Sequence, residues 1–166
     1  MKLNLIVALL LMHQVLFSQN LKPQRESFTL ELAIDAETFY KDDIPKSPYF
    51  IKGTMLQIFP TEVLNIEVEI KNDSIYSMKV VEKNLHPQKT ITIDLKQNTK
   101  GKISEGMTLA VTNPFNKKLS YEASIYIYGN DNWIETSIIP IYPKIVGYEM
   151  WSDVILSLVL KNWKLE

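Results

Sequence analysis

The chain has no cysteine among its 166 residues. That excludes disulfides, a thiol nucleophile, cysteine ligands for zinc and a lipid anchor attached through a cysteine. It has only two histidines, His13 and His86. A structural zinc site normally draws on several His or Cys ligands, so such a site is not expected. Neither sign of charge dominates: the formal net charge is −1, and losing Lys2 with an N-terminal leader would make it −2. There is thus no basic surplus to argue for nucleic acid or anionic lipid. Five glycines are too few for a glycine-rich loop, and no phosphate-cradling or dinucleotide fingerprint occurs. No apolar run is long enough to span a bilayer core of about 30 Å.

What is present begins at the N-terminus. Lys2 precedes an apolar run from Leu3 to Met12, then His13-Gln14 and small Ser18. A short cationic start, roughly ten apolar residues and a small residue at the cut are the pattern of a secretory signal peptide. Residues 1–18 are therefore expected to be removed, leaving a periplasmic or secreted protein, with a Gram-negative-type periplasm preferred. Hydrophobic residues make up 46% and charged residues 22%, so the remainder should fold as one globular domain. We expect a flexible segment at 19–27 and a single domain over 28–166.

Period-two alternation dominates that domain. Phe28, Leu30, Leu32 and Ile34 share one face. Residues 36–48, with two prolines and an acidic pair, read as a long connection. Tyr49 to Phe59 reads as a strand interrupted at Gly53. Leu64, Ile66, Val68 and Ile70 alternate with Asn65, Glu67 and Glu69, then Tyr76, Met78 and Val80 follow. A three-residue loop at 72–74 pairs Ile70 with Tyr76, Val68 with Met78 and Ile66 with Val80, and sets Lys79 opposite Glu67 on a wet face. A two-residue loop would place Ile66 against Lys79, so the three-residue register is preferred. Ile91 to Leu95 form a strand, residues 97–106 a polar loop and Met107 to Val111 a further strand. Leu119 to Ile127 turn at 129–132 into a hairpin that pairs Ile127 with Ile134 and Ala123 with Ile138. Pro140 and Pro143 make a loop of 140–150. Val154 to Leu165 is apolar on both faces and reads as a central buried strand, with a helix capped by Ser152 as its rival. Short strands separated by turn signals argue for an all-β antiparallel sandwich of about eight or nine strands.

One stretch has a counterpart elsewhere. The segment MTLAVTNPFNKKLSYEA at 107–123, Thr136-Ser137 ahead of Pro140, and Trp151 opening the last strand resemble small exported bacterial proteins with immunoglobulin-like sandwiches. The resemblance covers mainly the second half of the chain. It implies an immunoglobulin-like fold and brings no activity or catalytic residue.

Candidate chemistry is sparse. His86 lies before Pro87 with no nucleophile-elbow sequence nearby, and a solvated loop histidine is the expected role. Glu67 and Glu69 could approach each other as glycosidase carboxylates do, with Asp94 as a third acid, but a charged wet face is preferred. Asp42-Asp43 could offer oxygen ligands to calcium, though solvation is the simpler reading. No catalytic residue, metal site or cofactor is assigned. Aromatics give the one positive lead. The hairpin register puts Tyr126, Tyr128 and Trp133 opposite the apolar row, beside Asn130, Asp131 and Asn132. Such a strip can stack on a sugar or anchor a protein. The expected role is non-enzymatic: an interaction or structural module of the cell envelope whose partner is another envelope protein. A carbohydrate-binding module using the aromatic strip is the alternative.

Overall fold

The computed structural model describes residues 20–166. The expected signal peptide at 1–18 lies outside the described residues. Fourteen strands make up almost all regular structure: β1 (Gln24–Arg25), β2 (Phe28–Ala33), β3 (Phe39–Ile44), β4 (Ser47–Pro48), β5 (Phe50–Lys52), β6 (Met55–Ile58), β7 (Val63–Lys71), β8 (Ser74–Val81), β9 (Thr90–Lys100), β10 (Ile103–Thr112), β11 (Leu119–Ile127), β12 (Trp133–Thr136), β13 (Val146–Trp151) and β14 (Ile155–Leu165). A single 3-10 turn, Pro87–Lys89, is the one helical element among the described residues.

Two five-stranded antiparallel sheets form the body, in the orders β13-β10-β9-β7-β8 and β12-β11-β14-β6-β5. Their inner faces share one core. Ile66, Ile93 and Leu109 come from the first sheet; Leu56, Ala123 and Leu158 come from the second. All six are fully buried. Each large aliphatic side chain so placed contributes about 1.5–3 kcal/mol, so the core needs no covalent staple. The arrangement is all-β and consistent with a β-sandwich.

A second, smaller cluster explains the strand that is apolar on both faces. The β2–β3 hairpin brings Leu30, Leu32 and Ile44 onto Leu156. Residues Ile155 to Leu160 are consequently buried throughout, and β14 lies between β11 and β6. The central-strand reading of this segment holds, and the helix does not form.

The β7–β8 hairpin keeps the expected pairs Val68–Met78, Ile66–Val80 and Glu67–Lys79. Its turn differs. Asn72 and Asp73 both adopt positive φ, giving a two-residue connection in which Lys71 pairs with Ser74 and Ile70 with Ile75. A bulge that leaves Tyr76 over then restores the register. The β11–β12 hairpin is offset by two residues from expectation, pairing Tyr126 with Trp133, Ile125 with Ile134 and Ala123 with Thr136. An even offset preserves every side chain's face.

Four expectations are corrected; three of them, with the short β1 and β4, raise the strand count above eight or nine. Residues 39–44 form β3 within the presumed connection. Gly53, at φ +55, turns the 49–59 segment into the β5–β6 hairpin. Most of the presumed polar loop 97–106 prolongs β9 and β10, joined at Gly101. The presumed 140–150 loop contains most of β13, and Trp151 ends that strand rather than opening the next. The first three are short or solvent-facing segments with few apolar side chains to show a period, and the fourth alternates but is masked by the prolines just before it.

The segment expected to be flexible is anchored over its described residues 20–27. Lys22 N donates to Val80 O, Glu82 N donates to Asn20 O, and Leu21 bridges Val81. This backbone covers the free edge of β8. A few residues on, Arg25 is buried and ion-paired with Glu62 at 3.0 Å. A buried charge with a paired carboxylate fixes the chain far more firmly than its polar composition suggests.

Candidate functional site

The aromatic strip forms in part. Tyr126 and Trp133 face each other across β11 and β12 with ring centroids 5.4 Å apart. Tyr126 also packs onto the β2–β3 cluster, so one of its faces is taken. Tyr128 meets Tyr40 of β3 edge to face at 5.9 Å, a contact between residues far apart in the chain. Trp133 and Tyr128 remain a little under half exposed. At the adjoining turn, Asn132 N donates to Asn130 Oδ1 and Asn130 N donates to Ile127 O. Asp131 is exposed beside them. Below the strip, Lys161 Nζ donates to Glu135 Oε1 at 2.7 Å and to Ser124 Oγ. That ammonium, helped by the Ser124 hydroxyl, holds the Glu135 carboxyl below its usual range.

A second set of exposed apolar side chains, which the alternation did not reveal, lies on β13 and the connection leading to it. Of seventeen large hydrophobic side chains exposed among the described residues, nine lie between Tyr128 and Met150. Met150 is 76% exposed, Ile139 73% and Tyr148 66%. Tyr148, Met150 and Val146 alternate along β13 and point away from the core, opposite Ala110, Thr108 and Thr112 of β10. Beneath them a seam ties the two sheets. Ile141 bridges Leu119 at the edge of the second sheet and is buried against Gly147 of β13. Ile139 N donates to Glu149 Oε1, and Trp151 Nε1 donates to Thr136 Oγ1. Asn113, fully buried, donates through Nδ2 to the carbonyls of Lys117, Ile141 and Tyr142, while its Oδ1 accepts from Phe115 N. Asn113 of the Asn-Pro-Phe landmark therefore anchors the middle of the connection between β12 and β13.

A buried carboxylate lies on the same outward face of the first sheet, toward its opposite edge. Glu67 was expected on a wet face, yet it is 6% exposed. The 82–89 loop folds over it. Lys79 Nζ lies 3.0 Å and Lys89 Nζ 3.2 Å from Glu67 Oε1, and His86 Nδ1 lies 2.5 Å from Oε2. Burial alone would push the Glu67 carboxyl up. Hydrogen bonds from Lys79, His86 and Lys89, with the charge of Lys79, outweigh it and hold the group at about 2. A carboxylate this acidic is an acceptor, so His86 Nδ1–H donates. His86 is thus a clamp on Glu67 and not a solvated loop residue. Between this loop and the Asn20–Leu21 segment is a cavity of about 160 Å³, walled by Leu21, Val81 and Leu85 with Glu67, Lys79 and His86.

The clamp predicts a pH signature. The Glu67 value is depressed from 4.5 to about 2 in the folded protein, so its contribution is full above about pH 4.5 and fades as pH falls toward 2. Glu67→Gln is expected to lower unfolding free energy by about 2–3 kcal/mol at pH 7. Urea midpoints of both proteins at pH 7 and near pH 3 check this; the gap should narrow in acid.

The other acids do not assemble. Glu69 is exposed and accepts from Ser77 Oγ. Asp94 pairs with Val63, four residues along β7 from Glu67, which is roughly 13 Å at strand spacing. Asp43 accepts from Thr29 Oγ1 and Asp42 from Tyr40 OH. Among the described residues no group of three or more His, Asp or Glu could hold a metal ion, and no helix is long and apolar enough to cross a membrane. No family model, curated protein or solved structure matches the chain.

Proposed function

We propose that the chain is an exported, non-enzymatic interaction module of the cell envelope, and that it holds a protein partner through the exposed apolar side chains between Tyr128 and Met150, those of β13 above all. The carrying observation is the concentration there of more than half the large hydrophobic side chains exposed among the described residues. A concentration of exposed large apolar side chains of this kind points to an interaction site. Tyr, Trp and Met are the residue types enriched in interface centres. The seam beneath is stitched by Asn113, Thr136 and Glu149, so the face is preorganised and loses little side-chain freedom on binding. Lys2, the Leu3–Met12 run and Ser18 support export. Two antiparallel sheets with unjoined edges favour an immunoglobulin-like sandwich over a closed barrel.

Photo-crosslinking in the native host tests the reading. A photoreactive side chain at Met150 is expected to give a discrete adduct, while one at Ile51, exposed on β5, gives none. Equal background from both positions would remove the proposal.

A glycan-binding reading keeps one specific support: Trp133 and Tyr128 stay open beside Asn130, Asp131 and Asn132. Its check is a glycan array probed with the protein and with Trp133→Ala. Binding abolished by the substitution would establish it; the protein-partner reading expects an empty array.

A further inference from the structure

We propose that the partner on this face is a second copy of the chain, joined edge to edge through β13 about a two-fold axis at Tyr148. This rests on the apolar face being an interaction surface and specifies its occupant.

The sheet edges are treated differently, and β13 is the exception. The β8 edge is covered by Asn20–Lys22. The β5 edge has only three residues, and the β12 edge has four, bearing Glu135 with its Lys161 partner before Pro140. Natural sheets blunt their edges with shortness, proline, charge or a covering segment. β13 lacks shortness, proline and a covering backbone segment. It runs for six residues, contains no proline or lysine, and pairs only with β10. Its one charge, Glu149, is turned toward Ile139 N.

Antiparallel self-pairing centred on Tyr148 fits the sequence. It sets Tyr148 beside Tyr148 of the second copy, Met150 beside Val146, and Glu149 beside Gly147. No like charges meet, and the smallest residue lies opposite the only charged one. The outward row Val146, Tyr148, Met150 then continues without a break into the second copy. An isologous contact of this kind closes at two copies and leaves no growing end.

The absence of cysteine makes the test clean. Directly opposed strand residues have Cα atoms about 4.5–5.5 Å apart, within disulfide reach. Under mild oxidation the Tyr148→Cys chain should form a covalent dimer at least about tenfold faster than the Tyr76→Cys chain, whose parent residue is 62% exposed on another strand. Sedimentation velocity of the unmodified protein should show dimer. Tyr148→Glu should give a monomer with an unchanged circular-dichroism spectrum, and mixing it with Tyr148→Lys should restore dimer. Monomer at every concentration up to roughly 200 μM, or equal crosslinking from the two cysteine positions, would overturn the self-pairing. The broader reading fails separately. A Met150 photo-adduct whose mass is not twice that of the chain keeps the interaction face and rejects the second copy; no adduct rejects both.

Discussion

Arg25→Ala is expected to lower the free energy of unfolding by about 3–5 kcal/mol, the loss associated with removing one member of a buried ion pair. Arg25 is 2% exposed. Its Nε and Nη2 donate to the two Glu62 carboxylate oxygens, Nη1 to Ser47 Oγ and Pro48 O, and Nη2 also to Gln57 O at 2.7 Å. The guanidinium lies between the rings of Tyr49 and Phe59, at 4.7 and 4.9 Å. Alanine would leave Glu62, itself little exposed, as an uncompensated charge. It would also leave the Pro48 and Gln57 carbonyls without this donor. Arg25→Lys should recover only part of the loss, because an ammonium cannot reproduce the planar fork or the stacking. Removing the carboxylate charge as well, with Arg25→Met and Glu62→Gln together, should cost less than the two single changes added, since no charge is then buried alone. Denaturant midpoints across that cycle measure the coupling; simple additivity would show that the pair is not acting as a unit.

Gly106→Ala is expected to cost about 3 kcal/mol or more, from two independent sources. Gly106 has φ +101, a conformation L side chains rarely adopt. A Cβ there would stand 2.2 Å from the Trp151 carbonyl oxygen, which is backbone and cannot swing aside. The residue lies in the irregular step of β10 between Ser104 and Met107, where the bulge brings β10 and the end of β13 unusually close. The change should therefore do more than lower the denaturant midpoint. Amide hydrogen exchange should rise first along β13, with β7 and β9 still protected. Uniform loss of protection across both sheets would show that β13 is not a separable unit.

The parts of this fold that were legible in the sequence are those with a wet face and a dry face. Ile66, Val68, Met78 and Val80 alternate cleanly because the β7–β8 hairpin packs one side on the core, and their pairing follows. The Val154–Leu165 segment was legible for the opposite reason: two layers cover it, so nearly all of its first half is apolar. β3 was not legible, because Lys41, Asp42 and Asp43 face water and only Ile44 is buried. Nor was the turn at Asn72-Asp73. The two-residue option looked wrong because it reversed the faces along the whole hairpin, and a bulge at Tyr76 removes that objection within one residue.

The candidate surfaces divide in the same way. Tyr126, Tyr128 and Trp133 could be placed on one face from register alone, and a two-residue error left that face intact. Tyr40 could not be foreseen beside Tyr128, because the contact joins positions 88 residues apart. The burial of Glu67 under His86 was hidden likewise, since it depends on where the 82–89 loop comes to rest. The prolines at 140 and 143 concealed β13, although the exposed apolar residues beyond them were present in the sequence.

The place of β14 bears on when the chain can fold. Its two neighbours, β11 and β6, are made earlier and do not bond to each other. Until residues 155–165 have left the ribosome, the second sheet exists only as two separated hairpins, β5–β6 and β11–β12, and two-stranded pieces are marginal in water. Completion of the second sheet, and of the core it closes, therefore waits on this one strand, so the two hairpins gain their shared hydrogen bonds together or not at all.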